Sequence, residues 1–302
     1  MEMEAFIRKT CKAVGERLGS GFHVEARDVR KNNGVILHGM SVMKKGQDVA
    51  PTIYLDTFLE AYESGAAFGT IVQRLLEICE DGAPGEGMDM GFFRSFEKVR
   101  DRICYRLIGR KGNGELLEEI PYIEFLDLAI CFHYAYHGKE LGDGTILIYN
   151  SHMEMWDTCA AELYGLARRN TRRLFPWRCM GWEVAMQELA GLGECTDMED
   201  VEGLEDMDLP LKVLTNSSRS HGAACILYPG VLEEEARKTG SDLFILPSSI
   251  HEVLLLPDTG NEDSGELKKM VSEVNRSYVA AEEVLSDTLY RYDRAGKRVV
   301  IV

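Results

Sequence analysis

Residues 246–252 read Leu-Pro-Ser-Ser-Ile-His-Glu and lie between two apolar runs, so Ser248, Ser249, His251 and Glu252 fall within five positions. A hydroxyl, an imidazole and a carboxylate exposed by a loop at a sheet end are the parts of a hydrolase. Ser248 or Ser249 would be the nucleophile, His221 or His251 the base, and Glu252 or Asp258 the group that orients it. Two facts weigh against this reading. No Gly-x-Ser-x-Gly elbow is present, and neighbours in sequence rarely reach triad geometry. The plainer reading is a turn in which Pro247 sets φ and the serines bond nearby backbone. His251 and Glu252 then point to opposite sides of a strand. The turn is the preferred reading, and the hydrolase is the alternative.

A second polar loop, residues 216–222, reads Asn-Ser-Ser-Arg-Ser-His-Gly. Asn216, Ser218, Arg219 and His221 can cradle an anionic ligand through side chains and backbone N–H groups. Neither a phosphate-binding Gly-x-x-x-x-Gly-Lys loop nor a dinucleotide Gly-x-Gly-x-x-Gly turn occurs in a suitable place. Each of these loops borders a strand expected in the C-terminal third. If they converge, they form a pocket.

Other polar residues carry less. His133 and His137 share one face of an expected strand with a residue between them, which is wrong for a tight chelate. His152 and Glu154 lack a second pair at zinc-binding spacing. These histidines read as satisfied core or surface residues, and neither a metal nor a cofactor is expected. The eight cysteines include no Cys-x-x-Cys pair and mostly sit in apolar stretches, as reduced core thiols do. Cys225, in the apolar run 223–227, is expected to be inert. Arg168, Arg169, Arg172 and Arg173 crowd one expected helix and read as a solvated face.

The elements that must position these residues follow from periodicity. Ile7, Cys11, Val14 and Leu18 predict an amphipathic helix over 3–18. Residues 23–55 predict two or three antiparallel strands, broken at Asn32-Asn33-Gly34 and Lys44-Lys45-Gly46. Thr57 with Glu60 predicts a helix cap, and 71–79 another helix. A loop at 82–87, a helix near 92–99, a strand at 102–108 and one long strand over 124–137 come next. A turn at 142–144 leads to a partner strand at 145–149. A single helical stripe runs from Trp156 to Leu174, with Asn150 or Ser151 as cap. Residues 194–208 hold eight acids in fifteen positions and read as a linker or loop. Beyond them, strands are expected at 213–214, 223–227, 242–246 and 252–256. Helices are expected at 230–239 and after Asp263, and a closing hairpin turns at Ala295-Gly296. Residues 126–170 and 242–279 both run strand, turn, strand, helix, an order that duplication would produce.

The fold expected is α+β, or mixed α/β: two lobes of mixed, largely antiparallel sheet with packed helices. The divisions are 1–83, a central ββα lobe at 84–193, the acidic stretch at 194–209, and a C-terminal lobe at 210–302. A net charge of −16 repels phosphate backbones and anionic membranes, so nucleic acid is not an expected partner. No apolar run approaches a membrane span. Acid stands where a secretory leader carries Lys or Arg, so a cytoplasmic location is expected. These features favour a module that binds a protein or a small molecule.

Residues 93–107 (FRSFEKVRDRICYRL), 121–129 (PYIEFLDLA), 213–216 (VLTN), 222–232 (GAACILYPGVL) and 244–254 (FILPSSIHEVL) resemble the bacterial family called domain of unknown function 5688. So do 283–287 (EVLSD) and Tyr292-Asp293, and the likeness spans nearly the whole chain. The C-terminal order of elements is more loosely similar to domain of unknown function 1444. The resemblance implies a bacterial protein of this length, and it implies no particular reaction, ligand or catalytic residue.

Overall fold

The first apolar stripe forms helix α1 (Met3–Leu18), which buries Phe6, Ile7, Thr10 and Val14. A computed structural model describes residues 2–45, 52–81, 90–138, 142–191 and 210–302. The chain divides into two compact units, Met1–Val99 with Ala135–Ile146 and Arg100–Tyr134 with Leu147–Val302.

In the first unit, β1 (Phe22–Arg30), β2 (Ile36–Lys44) and β3 (Thr52–Tyr54) form an antiparallel sheet in that order. The β1–β2 connection places Asn33 at φ 59° and Gly34 at φ 71°, the left-handed backbone that its sequence predicts. Helices α2 (Asp56–Glu63) and α3 (Phe68–Asp81) follow, and Phe6, Met40, Leu55 and Leu75 centre the core. The expected Thr57–Glu60 cap does not form. Helix α2 begins one residue earlier, where the Asp56 carboxylate accepts from His38 N (2.9 Å) and meets His38 Nδ1 (3.0 Å). A 3-10 turn (Met90–Arg94) and the short α4 (Phe96–Val99) end this stretch. The expected loop at 82–87 lies outside the described residues.

The second unit opens with β4 (Ile103–Gly109), α5 (Gly114–Glu119), β5 (Tyr122–Phe125) and the first seven residues of β6 (Leu128–Gly138); the end of β6 and nearly all of β7 (Gly142–Leu147), which pairs with it, are counted with the first unit. The strand expected over 124–137 is instead a hairpin. Leu126 turns at φ 57°, and the Asp127 carboxylate accepts from Tyr290 Oη (2.6 Å) and Ser286 Oγ (2.8 Å). A carboxylate so engaged fixes a turn that apolar character alone does not reveal. Next come α6 (Asn150–Trp156) and α7 (Ala160–Leu174), one expected stripe split where Asp157 adopts φ 50°. Asn150 does not cap α6, because its amide donates to Glu118 O and the Tyr149 N–H goes to His152 Nδ1.

The remaining elements are β8 (Trp177–Gly181), α8 (Trp182–Gly191), β9 (Lys212–Asn216), α9 (Val231–Thr239), β10 (Asp242–Pro247), β11 (Val253–Asp258), α10 (Ser264–Tyr278), β12 (Tyr290–Asp293) and β13 (Arg298–Ile301). They build an antiparallel six-stranded sheet ordered β13-β12-β10-β11-β9-β8. Strand β8, which precedes the acidic stretch, is thus hydrogen-bonded to β9, which follows it. That stretch, 194–208, lies outside the described residues. Val213, Phe244, Leu246, Leu254 and Leu256 form one core with Ala185 of α8 and Leu267 and Val271 of α10. Asp263 caps α10 as expected, accepting from Gly265 N and Glu266 N.

Residues 223–227 are not a strand. Gly222–Leu227 is a buried 3-10 turn, held by Ala223 N to Ile250 O (3.3 Å) and by the Cys225 thiol to Thr215 O (3.3 Å). Five consecutive apolar residues look alike in either form, because the turn is buried on every side. Burial pushes the Cys225 thiol up to about 12, which makes it inert as expected. Cys159, by contrast, is exposed at the start of α7. The whole is a mixed α+β fold of largely antiparallel sheets, as its sequence predicts. Among the described residues, no helix is long and apolar enough to cross a membrane.

Gly222 leaves no room for a side chain: a Cβ there would stand 2.2 Å from Thr215 Oγ1 and 2.4 Å from His251 O. Gly222→Ala is therefore expected to destabilise the second unit by about 1–3 kcal/mol, the usual cost of overpacking. Trp156, Trp177 and Trp182 are the chain's only tryptophans and all lie in that unit, so their fluorescence during urea unfolding reads it directly. An unchanged midpoint would show that the chain can back away.

Candidate functional site

The two polar loops meet. Strand β9 ends in Thr215 and Asn216, β11 begins just after Glu252, and the two strands are paired through Leu214 and Val253. Thr215 Oγ1 donates to His251 O (2.8 Å), and the His221 backbone N–H donates to His251 Nδ1 (3.2 Å). A third segment joins them: Ile250 N donates to Glu283 O (2.7 Å), and Ser249 bridges Val284.

Asn216 is buried, and its polar atoms are spent inside the loop. Its Nδ2 donates to Ser220 O (2.8 Å), and its Oδ1 accepts from Ser218 N (3.1 Å) and Ser218 Oγ (2.9 Å). Asn216 and Ser218 therefore brace the loop. The braced turn puts Arg219 at φ 52° and His221 at φ 54°, left-handed conformations uncommon outside glycine and upheld only by surrounding structure.

Arg219, Ser248, Ser249, His251 and Glu252 border a cavity of about 410 Å³ between α8 and α10, over the β8–β9–β11 face. Its walls are apolar: Met180, Trp182, Ala185, Met186, Val213, Leu254 and Val274. Glu283 completes the polar end. The cavity thus has an apolar body with a few polar groups at one end, a pattern that small-molecule sites share. The Glu188 carboxylate accepts from both Arg178 (2.8 Å) and Arg219, which holds it below the usual carboxylate range. Arg219 Nη1 is buried and has no acceptor among the described residues. Burial pushes the Glu252 carboxyl up, although the Ser249 hydroxyl opposes this.

The serines and imidazoles do not assemble as a triad. Ser249 is buried; its Oγ donates to Glu252 Oε1 (2.5 Å) and accepts from His251 N (3.0 Å), the bonding of a local turn. Ser220 Oγ does lie 3.0 Å from His221 Nδ1, but the other ring nitrogen decides the sense of that bond. Arg106 Nη1 is 3.3 Å from His221 Nε2, and a guanidinium can only donate. Nε2 is then the acceptor, and Nδ1 carries the hydrogen that Ser220 receives. An imidazole in this tautomer takes no proton from Ser220. Burial and the Arg106 charge also hold His221 well below its ordinary value.

Two residues escaped the sequence reading. His133, read as an ordinary core histidine, is buried beside His221 with ring centroids 5.7 Å apart, and His221 is 5.7 Å from His251. Arg106 joins this row from β4. The available signal was a lone arginine inside the apolar run Ile-Cys-Tyr-Arg-Leu-Ile. His137, His152 and Glu154 are not part of the row, and no group of three His, Cys, Asp or Glu side chains among the described residues could hold a metal ion.

Burial, with the Arg106 charge second, pushes His133 down to about 3. Its unfolded value is about 6.5, so the unfolded chain takes up the proton first and gains on the folded one. The stability that a neutral His133 supports is intact above pH 6.5 and is lost as pH falls toward 3. His221, shifted the same way, acts in the same sense. Urea midpoints read by tryptophan fluorescence are expected to fall between pH 7 and pH 4, and to fall less in His133→Asn. An identical pH profile in the variant would remove His133 from this account.

No curated protein and no solved structure matches the chain. A family model described as "Family of unknown function (DUF5688)" matches residues 3–294 of 302. With nearly its whole length matched, the chain belongs to that family.

Proposed function

We propose that this protein is a binding module for a small amphipathic molecule, held in the cavity between α8 and α10. The observation that carries this reading is the convergence of both polar loops on one apolar-walled space of about 410 Å³. The ligand's apolar body packs against Trp182, Met186, Val213 and Leu254. Its polar end offers an acceptor to Arg219, whose Nη1 is buried without one. Donor groups on the ligand meet the Glu252 and Glu283 carboxyls. Arg219 and His251 are the residues placed to contact it, with Asn216 and Ser218 bracing the loop.

The hydrolase alternative has less support, since Ser249 spends its hydroxyl hydrogen on Glu252 and accepts from the His251 backbone N–H rather than bonding an imidazole. Ser248 lines the cavity.

The probe 1-anilinonaphthalene-8-sulfonate pairs an aromatic body with an anionic acceptor, and it should bind the folded protein with saturable fluorescence enhancement. Ala185→Trp, which fills the cavity, should abolish that signal. Arg219→Leu should weaken binding by about tenfold, the worth of one hydrogen bond to a charged group. Unchanged affinity in a folded Ala185→Trp variant would place the dye elsewhere and defeat the proposal. A fluorophosphonate reagent is expected to leave every serine unlabelled. Labelling that disappears in Ser249→Ala or Ser248→Ala would restore the hydrolase.

A further inference from the structure

Strand β4 is fully buried at every position other than Arg106. A guanidinium keeps its charge at neutral pH, so placing one inside a protein requires acceptors for its N–H groups. Elsewhere in this unit that requirement is met by carboxylates. Arg178 and Arg219 share Glu188, Lys212 and Lys238 share Glu235, and Arg291 has Asp258. Arg106 pairs with no carboxylate among the described residues.

The hydrogen bond that Arg106 makes is from Nη1 to the neutral ring of His221. Its Nε is buried with no partner. The Nε–Nη2 edge, the side of the fork that grips two oxygens of one carboxylate or phosphate, is therefore not used by the protein. The ladder puts a further nitrogen nearby: Arg106 faces Cys131, Cys104 faces His133, and alternation sets all four on one side of the β4–β6 pair. His133 Nδ1 is likewise buried and has no partner. Cys131 adds no anion, since burial pushes its thiol up to about 12. One fixed positive charge, an unpartnered guanidinium nitrogen and an unpartnered ring nitrogen thus lie on one face of the β4–β6 pair, where Arg106 meets no carboxylate among the described residues.

We propose that Arg106 and His133, with His221 holding the guanidinium in place, form a binding site for a small oxyanion, a carboxylate or phosphate group, separate from the cavity between α8 and α10. The guanidinium edge takes two of its oxygens, and His133 Nδ1–H donates to it. The His133–His221–His251 row sets this site beside the wall of the cavity, so the two are neighbours without sharing a ligand.

The test uses the full chain, with thermal unfolding read by tryptophan fluorescence in rising phosphate or acetate, each against chloride at equal ionic strength. At least one of the two oxyanions should raise Tm saturably by about 2–5 °C, as a ligand bound only to the folded state does. Phosphate alone would mark a phosphoryl site, and acetate a carboxylate site. The effect should vanish in Arg106→Gln and persist in Arg219→Leu. No saturable rise over chloride with either anion would overturn the site. So would its loss in Arg219→Leu with retention in Arg106→Gln, which would put the anion in the cavity. Should Arg106→Gln fail to fold, His133→Asn is expected to weaken the apparent affinity at least threefold, and unchanged affinity there would also overturn the site.

Discussion

Gly222 sits where even a methyl group would collide with the Thr215 hydroxyl and the His251 carbonyl. That contact is the joint of the second unit. It lets the chain leaving β9 press against the segment entering β11, so that the 3-10 turn packs behind both and the residues ahead of it are braced. Remove the close approach and Arg219 loses the left-handed turn that aims it, while His221 loses its place between Arg106 and His251. The two polar loops are separated by about thirty residues of sequence, and this joint makes them one surface.

Charge is distributed against the overall trend. The chain carries −16, yet an arginine and three imidazoles, one buried and the others half-buried, line up within one unit. Burial and the Arg106 charge keep His133 and His221 neutral, which lets each of those rings act as donor at one nitrogen and acceptor at the other. The tautomer of His221 then follows from Arg106, and that of His251 from the His221 amide. Such a row orders polar geometry without placing several positive charges side by side. It also sets the sense of the hydrogen bond between Ser220 and His221, neighbours in sequence.

Much of this was legible in the residues. The 3.6-residue stripes of α1 and α10, the Asn-Asn-Gly turn and the Asp263 cap are local signals, each carried by chemistry within a few positions. The pocket's two rims were legible as polar segments between apolar runs, one of which proved to be a 3-10 turn. What was not legible depends on distant partners. Leu126 and Asp127 break an apolar stretch because Tyr290 and Ser286 are waiting for a carboxylate, and Thr57 is no cap because Asp56 answers to His38. The 3-10 form of 222–227 follows from burial on all sides, which an apolar run records without its geometry. Arg106 meets His221 across 115 positions, beyond the reach of any spacing rule.

The hydrogen bond from the His221 backbone N–H to the His251 ring has a consequence for measurement. Because the ring nitrogen accepts that hydrogen, the amide is shielded only while both loops are seated together. Its exchange with deuterated solvent is a clock for the parting of the loops, running independently of the strands beneath. A ligand that clamps the rims would slow that clock while leaving the amides of β10 and β11 at their own pace.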